Sequence, residues 1–173
     1  MSADSHPSPG AWSELPYRPS VGIMLLDSVG RVWIGRRSPK WFADKSAYIW
    51  QMPQGGIMPG EDPRQAALRE LEEETSVSAV EILAEAADWR SYELPDHLLG
   101  VALKGRYRGQ RQKWFAMRFL GMDAEIDIGP RNGHKAEFDA WRWASVDELV
   151  DLAVPFKRPI YEAVVHEFAH LVR

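Results

Sequence analysis

The chain predicts a single α/β domain. Three observations carry that expectation. Residues 21–26 form an apolar run of strand length, residues 63–75 read as a helix with clear start signals, and a second helical pattern begins at Pro159. A length of 173 residues suits one domain with a full core, and 45% hydrophobic residues is a globular composition. Residues 1–16 hold Ser, Pro, Asp and Gly with little periodicity, so they are expected to form a disordered tail ahead of a domain over 17–173.

Within the domain, Val21 to Leu26 and Arg31 to Gly35 flank the turn residues Asp27, Ser28, Val29 and Gly30, which predicts a hairpin. It delivers Arg36 and Arg37, which are either a solvated edge or a phosphate clamp. Residues 38–47 read as a loop carrying Trp41 and Phe42. Residues 48–54 run extended, and Pro53 and Pro59 keep the approach to a glycine-rich loop out of helical geometry. A strand is expected over 77–83, and residues 96–102 read as irregular. Phe115, Met117 and Phe119 alternate as in a half-buried strand. A short strand over 137–144 carries Trp141 and Trp143. Ser145 and Glu148 then make a capping box for a helix over 146–152. The last helix presents Ile160, Val164, Phe168 and Leu171 on one face.

Chemistry concentrates in residues 55–77. Asp62 is a good N-cap and Pro63 suits the first helical position. Ala66, Ala67, Leu68 and Leu71 give the helix an apolar side. Glu70, Glu73 and Glu74 stand at i, i+3 and i+4 and share the other side. Like charges at that spacing destabilise a bare helix. A hard divalent cation such as Mg²⁺ or Mn²⁺ reverses the sign. Arg69 is placed to pair with Glu73 at i+4.

Net charge is −4, so any phosphate-rich ligand must be drawn by local cations and metal. The one basic cluster, residues 104–114, holds five cationic side chains, Arg111 and Lys113 among them, with two aromatics. It reads equally as a solvated loop and as a contact for polyphosphate or single-stranded RNA. Cysteine is absent, which removes disulfides and thiolate metal sites and fits a cytoplasmic location. No stretch is long enough to span a membrane, and neither a membrane nor DNA is expected as a partner. His166, Glu167 and His170 match the H-E-x-x-H pattern of zinc peptidases. A catalytic zinc needs a third protein ligand, and only three residues follow.

The spacing from Gly55 through Glu61 to the run Arg69-Glu70-Leu71-Glu72-Glu73-Glu74 resembles the Nudix box, the signature of hydrolases that cleave nucleoside diphosphates linked to another moiety. One position departs, since Ser76 stands where that family has glycine at the helix end. Further segments, Tyr17-Arg18-Pro19, Trp50 to Ile57, Gly109 to Phe115, Glu137 to Trp143 and Phe156-Lys157-Arg158, are similar to RNA pyrophosphohydrolases and to dinucleoside polyphosphate hydrolases of that family. The resemblance implies an α/β/α sandwich with a mixed β-sheet. It also implies that Glu70, Glu73, Glu74 and Glu137 bind Mg²⁺ or Mn²⁺, with the Gly55 carbonyl in reach of a metal. Catalysis would use Glu73, Glu74 and Glu137, with Glu74 or Glu137 as the base. Arg18 and Arg37 would contact phosphates, and Phe156 and Lys157 the substrate's 5′ end. The implied substrate is 5′-triphosphorylated or diphosphorylated RNA, converted to a 5′-monophosphate end. A dinucleoside polyphosphate such as diadenosine tetraphosphate is the alternative.

Overall fold

A run of Val21, Ile23, Met24, Leu25 and Leu26 with no helical polar face makes the buried part of β1, Tyr17–Leu26, the strand around which the computed structural model is built. The structure describes residues 13–37 and 50–172. The expected tail up to residue 12 and the expected loop bearing Trp41 and Phe42 lie outside them. β1 lies parallel to the longest strand, β7 (Gly109–Phe119), over ten residue pairs from Tyr17 with Gly109 to Leu26 with Arg118. Every other pairing is antiparallel.

Each long strand shares its outer edge between two short ones. β2 (Val32–Arg37) meets β1 at the Leu26–Val32 end, while β4 (Gln54–Gly56) pairs with Ser20 to Gly22. On β7, β5 (Val80–Glu85) pairs with the C-terminal part and β6 (Arg90–Glu93) with the N-terminal part. β8 (Phe138–Ala144) runs along the far edge of β2, while β3 (Trp50–Gln51) pairs with Gly35 and Arg36 on the edge that β1 has left. The sheet is therefore mixed, and β1 and β2 spread apart after their turn. That turn is fixed by Asp27, whose carboxylate accepts from the backbone N–H groups of Val29 and Arg31 at 3.0 and 2.8 Å.

Both faces of the central strands are buried, and side-chain alternation sorts them into two cores. Val21, Ile23, Leu25, Phe115 and Met117 face helix α1, Pro63–Thr75, with its Ala66, Ala67 and Leu71. Met24, Leu26, Trp114 and Ala116 face the C-terminal helices, α2 (Leu149–Leu152) and α3 (Arg158–Phe168). This is the expected helix–sheet–helix sandwich. β7 is not the half-buried strand that Phe115, Met117 and Phe119 suggest. Trp114 and Ala116 are equally buried, because a helix covers each face. About half of the basic cluster, residues 109–114, is strand rather than loop, because it pairs with β1 and β6.

Helix α1 starts as its sequence dictates, with the Asp62 side chain accepting from the Arg64 N–H. Alanines at 66 and 67 let the helix approach the sheet closely. Thr75 completes the buried side by donating to the Leu71 carbonyl at 2.6 Å, whereas Leu68 is 37% exposed and lies off that side. The helix ends on Ser76 in the left-handed conformation (φ 64°), with its N–H on the Glu72 carbonyl and its hydroxyl donating to the Asp127 carbonyl. The position keeps the geometry that glycine would take without strain, and a tertiary hydrogen bond offsets part of the cost. Ser76→Ala keeps the strain and loses the bond. It should therefore be less stable than Ser76→Gly by about 1 kcal/mol in paired urea denaturation curves. Equal stabilities would show that no strain is stored there.

Candidate active site

The divergence of β1 and β2 leaves room beside β4 for the acidic side of α1. Glu70 and Glu74, one turn apart, line a cavity of about 530 Å³. Glu137, just ahead of β8, joins them from the far side of β2. Gly55 leaves room for the Glu70 carboxylate, which a β-carbon at that position would displace. Gly56 is similarly covered by the Arg18 guanidinium. Arg18, Arg37, Phe156 and Lys157 line the same cavity and add cationic and aromatic groups to it. β2 sends Arg37 toward Glu137, 3.8 Å away, while Arg36 bonds Asp139 at 2.7 Å outside the cavity.

One side chain organises the acidic wall. Arg69 grips Glu61 with two bonds of 2.8 Å, from Nε and Nη2. Nη2 also donates to the Gly56 carbonyl at 2.8 Å, and Nη1 donates to Glu70 at 2.8 Å and Glu73 at 3.2 Å. Glu61 in turn accepts from the Met58 N–H and fixes the loop ahead of the helix. The Arg69 guanidinium holds the Glu61 carboxyl down at about 2. Glu61 and the other carboxylates hold the Arg69 pKa above its ordinary value.

Burial pushes the Glu70 carboxyl up, against the pull of Arg69. Glu74 is pushed much further, first by burial and then by the charges of Glu137 and Glu70. Its carboxylate accepts from the Gln54 backbone, yet among the described residues its buried Oε2 has no hydrogen-bond partner. That is an expensive arrangement for a side chain with only a structural task.

Lys157 sits in a 3₁₀ turn, Pro155–Lys157, ahead of α3 and donates to Gln51 Oε1 at 3.3 Å. Phe156 leans on Tyr92 at 5.5 Å between ring centroids. Three other residues in the set of expected site residues lie elsewhere. Glu73 turns toward Arg69 and a second, smaller hollow that it shares with Arg131 and His134. Arg111 and Lys113 do not reach the cavity, because strand alternation points Gln110 and Gln112 that way and turns their neighbours to the other face. There Arg111 stacks over Trp89 at 4.8 Å and Lys113 pairs with Glu85 at 3.7 Å. The H-E-x-x-H residues also stand outside. His166 and His170 are exposed, and Glu167 accepts from the Ala87 N–H.

The structure adds residues that carry no motif. Tyr92 is buried, accepts from Gln110 Nε2 at 2.6 Å, and has its hydroxyl pushed up to about 12 by burial. Tyr161 accepts from the Met52 N–H at 2.9 Å and supports the cavity floor. Both are single aromatic residues at positions that periodicity leaves ambiguous.

A family model described as NUDIX domain matches residues 16–164. The chain belongs to the Nudix family. Two relatives extend the match along nearly the whole length. An RNA pyrophosphohydrolase of Mesorhizobium japonicum is 57% identical over 162 residues, covering 92% of this chain and 94% of the relative. One of Brucella abortus is 58% identical over 160 residues, covering 91% and 90%. Solved Nudix-like folds are more distant. The C. elegans Ap4A hydrolase binary complex superposes with a TM-score of 0.61 at 17% identity, covering 88% of this chain and 98% of that one. The E. coli dihydroneopterin triphosphate pyrophosphohydrolase gives 0.64 at 19%, covering 88% and 99%. At those identities the agreement is one of fold.

Nudix hydrolases generally use divalent metal ions. The donor set of this Nudix helix fits such an ion, with hard carboxylate oxygens and one of them, Glu74 Oε2, buried without a partner. Among the described residues, no three acidic or histidine side chains already converge at coordinating distance, since Arg69 holds Glu73 and Glu70. The buried Glu74 charge also makes a prediction for the metal-free protein. Its pKa is raised on folding, so its favourable, protonated form persists below the ordinary value of 4.5 and is lost as pH rises through the folded value. In chelator, Glu74→Gln should therefore melt at a higher temperature than the parent at neutral pH. The gap should close toward pH 4.5, the ordinary carboxyl value. A gap independent of pH would show that Glu74 is not a destabilising charge.

Proposed function

We propose that this Nudix chain hydrolyses the phosphate chain at the 5′ end of RNA, leaving a 5′-monophosphate. What carries the reading is one cavity lined both by Glu70, Glu74 and Glu137 and by Arg18, Arg37 and Lys157. The carboxylates suit cations and the basic side chains suit anions, as an oligophosphate with its counter-ion requires. The 57–58% identity to proteins named RNA pyrophosphohydrolase, over about nine-tenths of each chain, supports this substrate.

In this reading Glu70, Glu74 and Glu137, with Glu73 and the Gly55 carbonyl, would hold Mg²⁺ or Mn²⁺. The ion supplies positive charge beside the phosphate oxygens, which lowers the cost of attack at phosphorus. The chain's own groups do the rest. Arg18 and Arg37 orient the phosphates, with guanidinium forks matched to their oxygens. A carboxylate, Glu74 or Glu137, takes the proton of the attacking water. Lys157 balances the charge that grows on the leaving phosphate. Phe156, tilted against Tyr92, offers its ring to the first base.

A 5′-triphosphorylated oligoribonucleotide and diadenosine tetraphosphate, assayed in the same Mg²⁺ buffer, test the assignment. RNA should give the higher kcat/KM, by about tenfold or more, an apparent difference of about 1.4 kcal/mol. A reversed order would make dinucleoside polyphosphates the substrate. Glu74→Gln should lower kcat on either by at least about a hundredfold, with an unchanged circular dichroism spectrum. Chelation should abolish turnover, and added Mn²⁺ should restore it.

A further inference from the structure

Residues 96–105, which join β6 to β7, close one side of the cavity with Leu98, Val101, Leu103 and Lys104. They are folded as two 3₁₀ turns, Asp96–Leu98 and Ala102–Gly105. Inside the second turn the backbone is left-handed at three successive residues. Leu103 has φ 54° and ψ 37°, Lys104 has φ 59° and ψ 21°, and Gly105 has φ 69°. For Leu and Lys this conformation is strained, since their β-carbons crowd the following carbonyl. Leu103 recovers part of the cost by packing against the core on the α3 side. Lys104 recovers nothing visible. It is exposed, and among the described residues its ammonium has no carboxylate, carbonyl or ring as a partner. A glycine would make the same turn without strain.

What the lysine adds is a charge at the cavity rim. Arg18, Arg37 and Lys157 line the cavity itself, and Lys157 is 4% exposed. These three face the phosphates that react. An RNA 5′ end carries one further anion just beyond them, the phosphodiester that links the first nucleoside to the second. A nucleoside triphosphate has no such group, and a dinucleoside polyphosphate has only neutral sugar hydroxyls there. We propose that Lys104 is a specificity-determining residue that contacts this first internucleotide phosphate and so selects RNA ends over free nucleotides. The proposal rests on the RNA reading given above and adds to it the residue that reads the polymer. The strained turn fits the task, because it presents a cation at the rim from a backbone braced by Leu103 on the core.

The test compares kcat/KM for a 5′-triphosphorylated dinucleotide and for the matching nucleoside triphosphate, in the same Mg²⁺ buffer at two or more salt concentrations. Lys104→Gln should lower the dinucleotide-to-mononucleotide ratio about tenfold, chiefly through KM. It should also reduce the salt dependence on the dinucleotide by roughly one phosphate contact. Lys104→Arg should retain the ratio. Lys104→Gly should lose it while melting a few degrees higher, because the strain goes with the charge. A purely structural lysine would not give that opposition of stability and selectivity. A ratio unchanged in Lys104→Gln, or equal losses on both substrates, overturns the proposal. If the unaltered protein cleaves diadenosine tetraphosphate but not the RNA dinucleotide, the RNA reading itself fails. That failure is seen before any variant is compared, and the role of Lys104 falls with it.

Discussion

The Arg69 guanidinium is the contact on which the acidic wall depends. Three carboxylates, Glu61, Glu70 and Glu73, and the Gly56 carbonyl all accept from it. Its planar fork satisfies Glu61 with two bonds, which ties the loop before α1 to the helix itself. Without a cation at that point, Glu70 and Glu73 would repel each other across less than a helical turn, and Glu74 behind them would be harder still to bury. Lysine, a point charge, could not hold this geometry. Arg69 neutralises the part of the cluster that it touches and leaves Glu74 uncompensated.

The sheet supplies the space for that cluster. β1 and β7 are long and parallel, and each yields half of its outer edge to a different short strand. The parting of β1 and β2 admits β4, and β4 brings Gly55 and Gly56 under the carboxylates and under Arg18. Alternation along the same strands then decides what enters the cavity. Gln110 and Tyr92 point inward, whereas Arg111 and Ser91 do not, although all four lie within two adjacent strands. A one-residue slip of β7 would exchange Gln110 and Arg111.

Local signals made much of this legible. The hairpin, the capped box helix, the capping box at Ser145 and the last helix follow from turn residues, caps and periodicity. The i, i+3, i+4 glutamates are visible as a charge pattern that is costly without a counter-ion. The sandwich itself rested on resemblance, because strand pairing is non-local. The same limit explains the departures. Arg69 pairs chiefly with Glu61 eight residues earlier, a partner that helical spacing cannot reveal. Arg111 and Lys113 looked like ligands because their charges cluster in sequence, but period-2 geometry turned them away. Leu68 lies just off the buried side of α1. The rim at residues 96–105 has no periodicity to read, and its left-handed residues are ordinary Leu and Lys. Ser76 shows the converse, where a residue that departs from the family pattern still adopts the turn.

The central question is whether Glu74 and the carboxylates around it are a cation site rather than a strained ion-pair network. Mn²⁺ titration followed by electron paramagnetic resonance reads this directly, without reference to any substrate. The unaltered protein should remove free Mn²⁺ from solution in a saturable way. Replacing Glu74 by Gln should weaken that binding by about tenfold or more, roughly the loss of one charged ligand. Equal Mn²⁺ affinity in the two proteins, or none in the unaltered one, would contradict a cation site there.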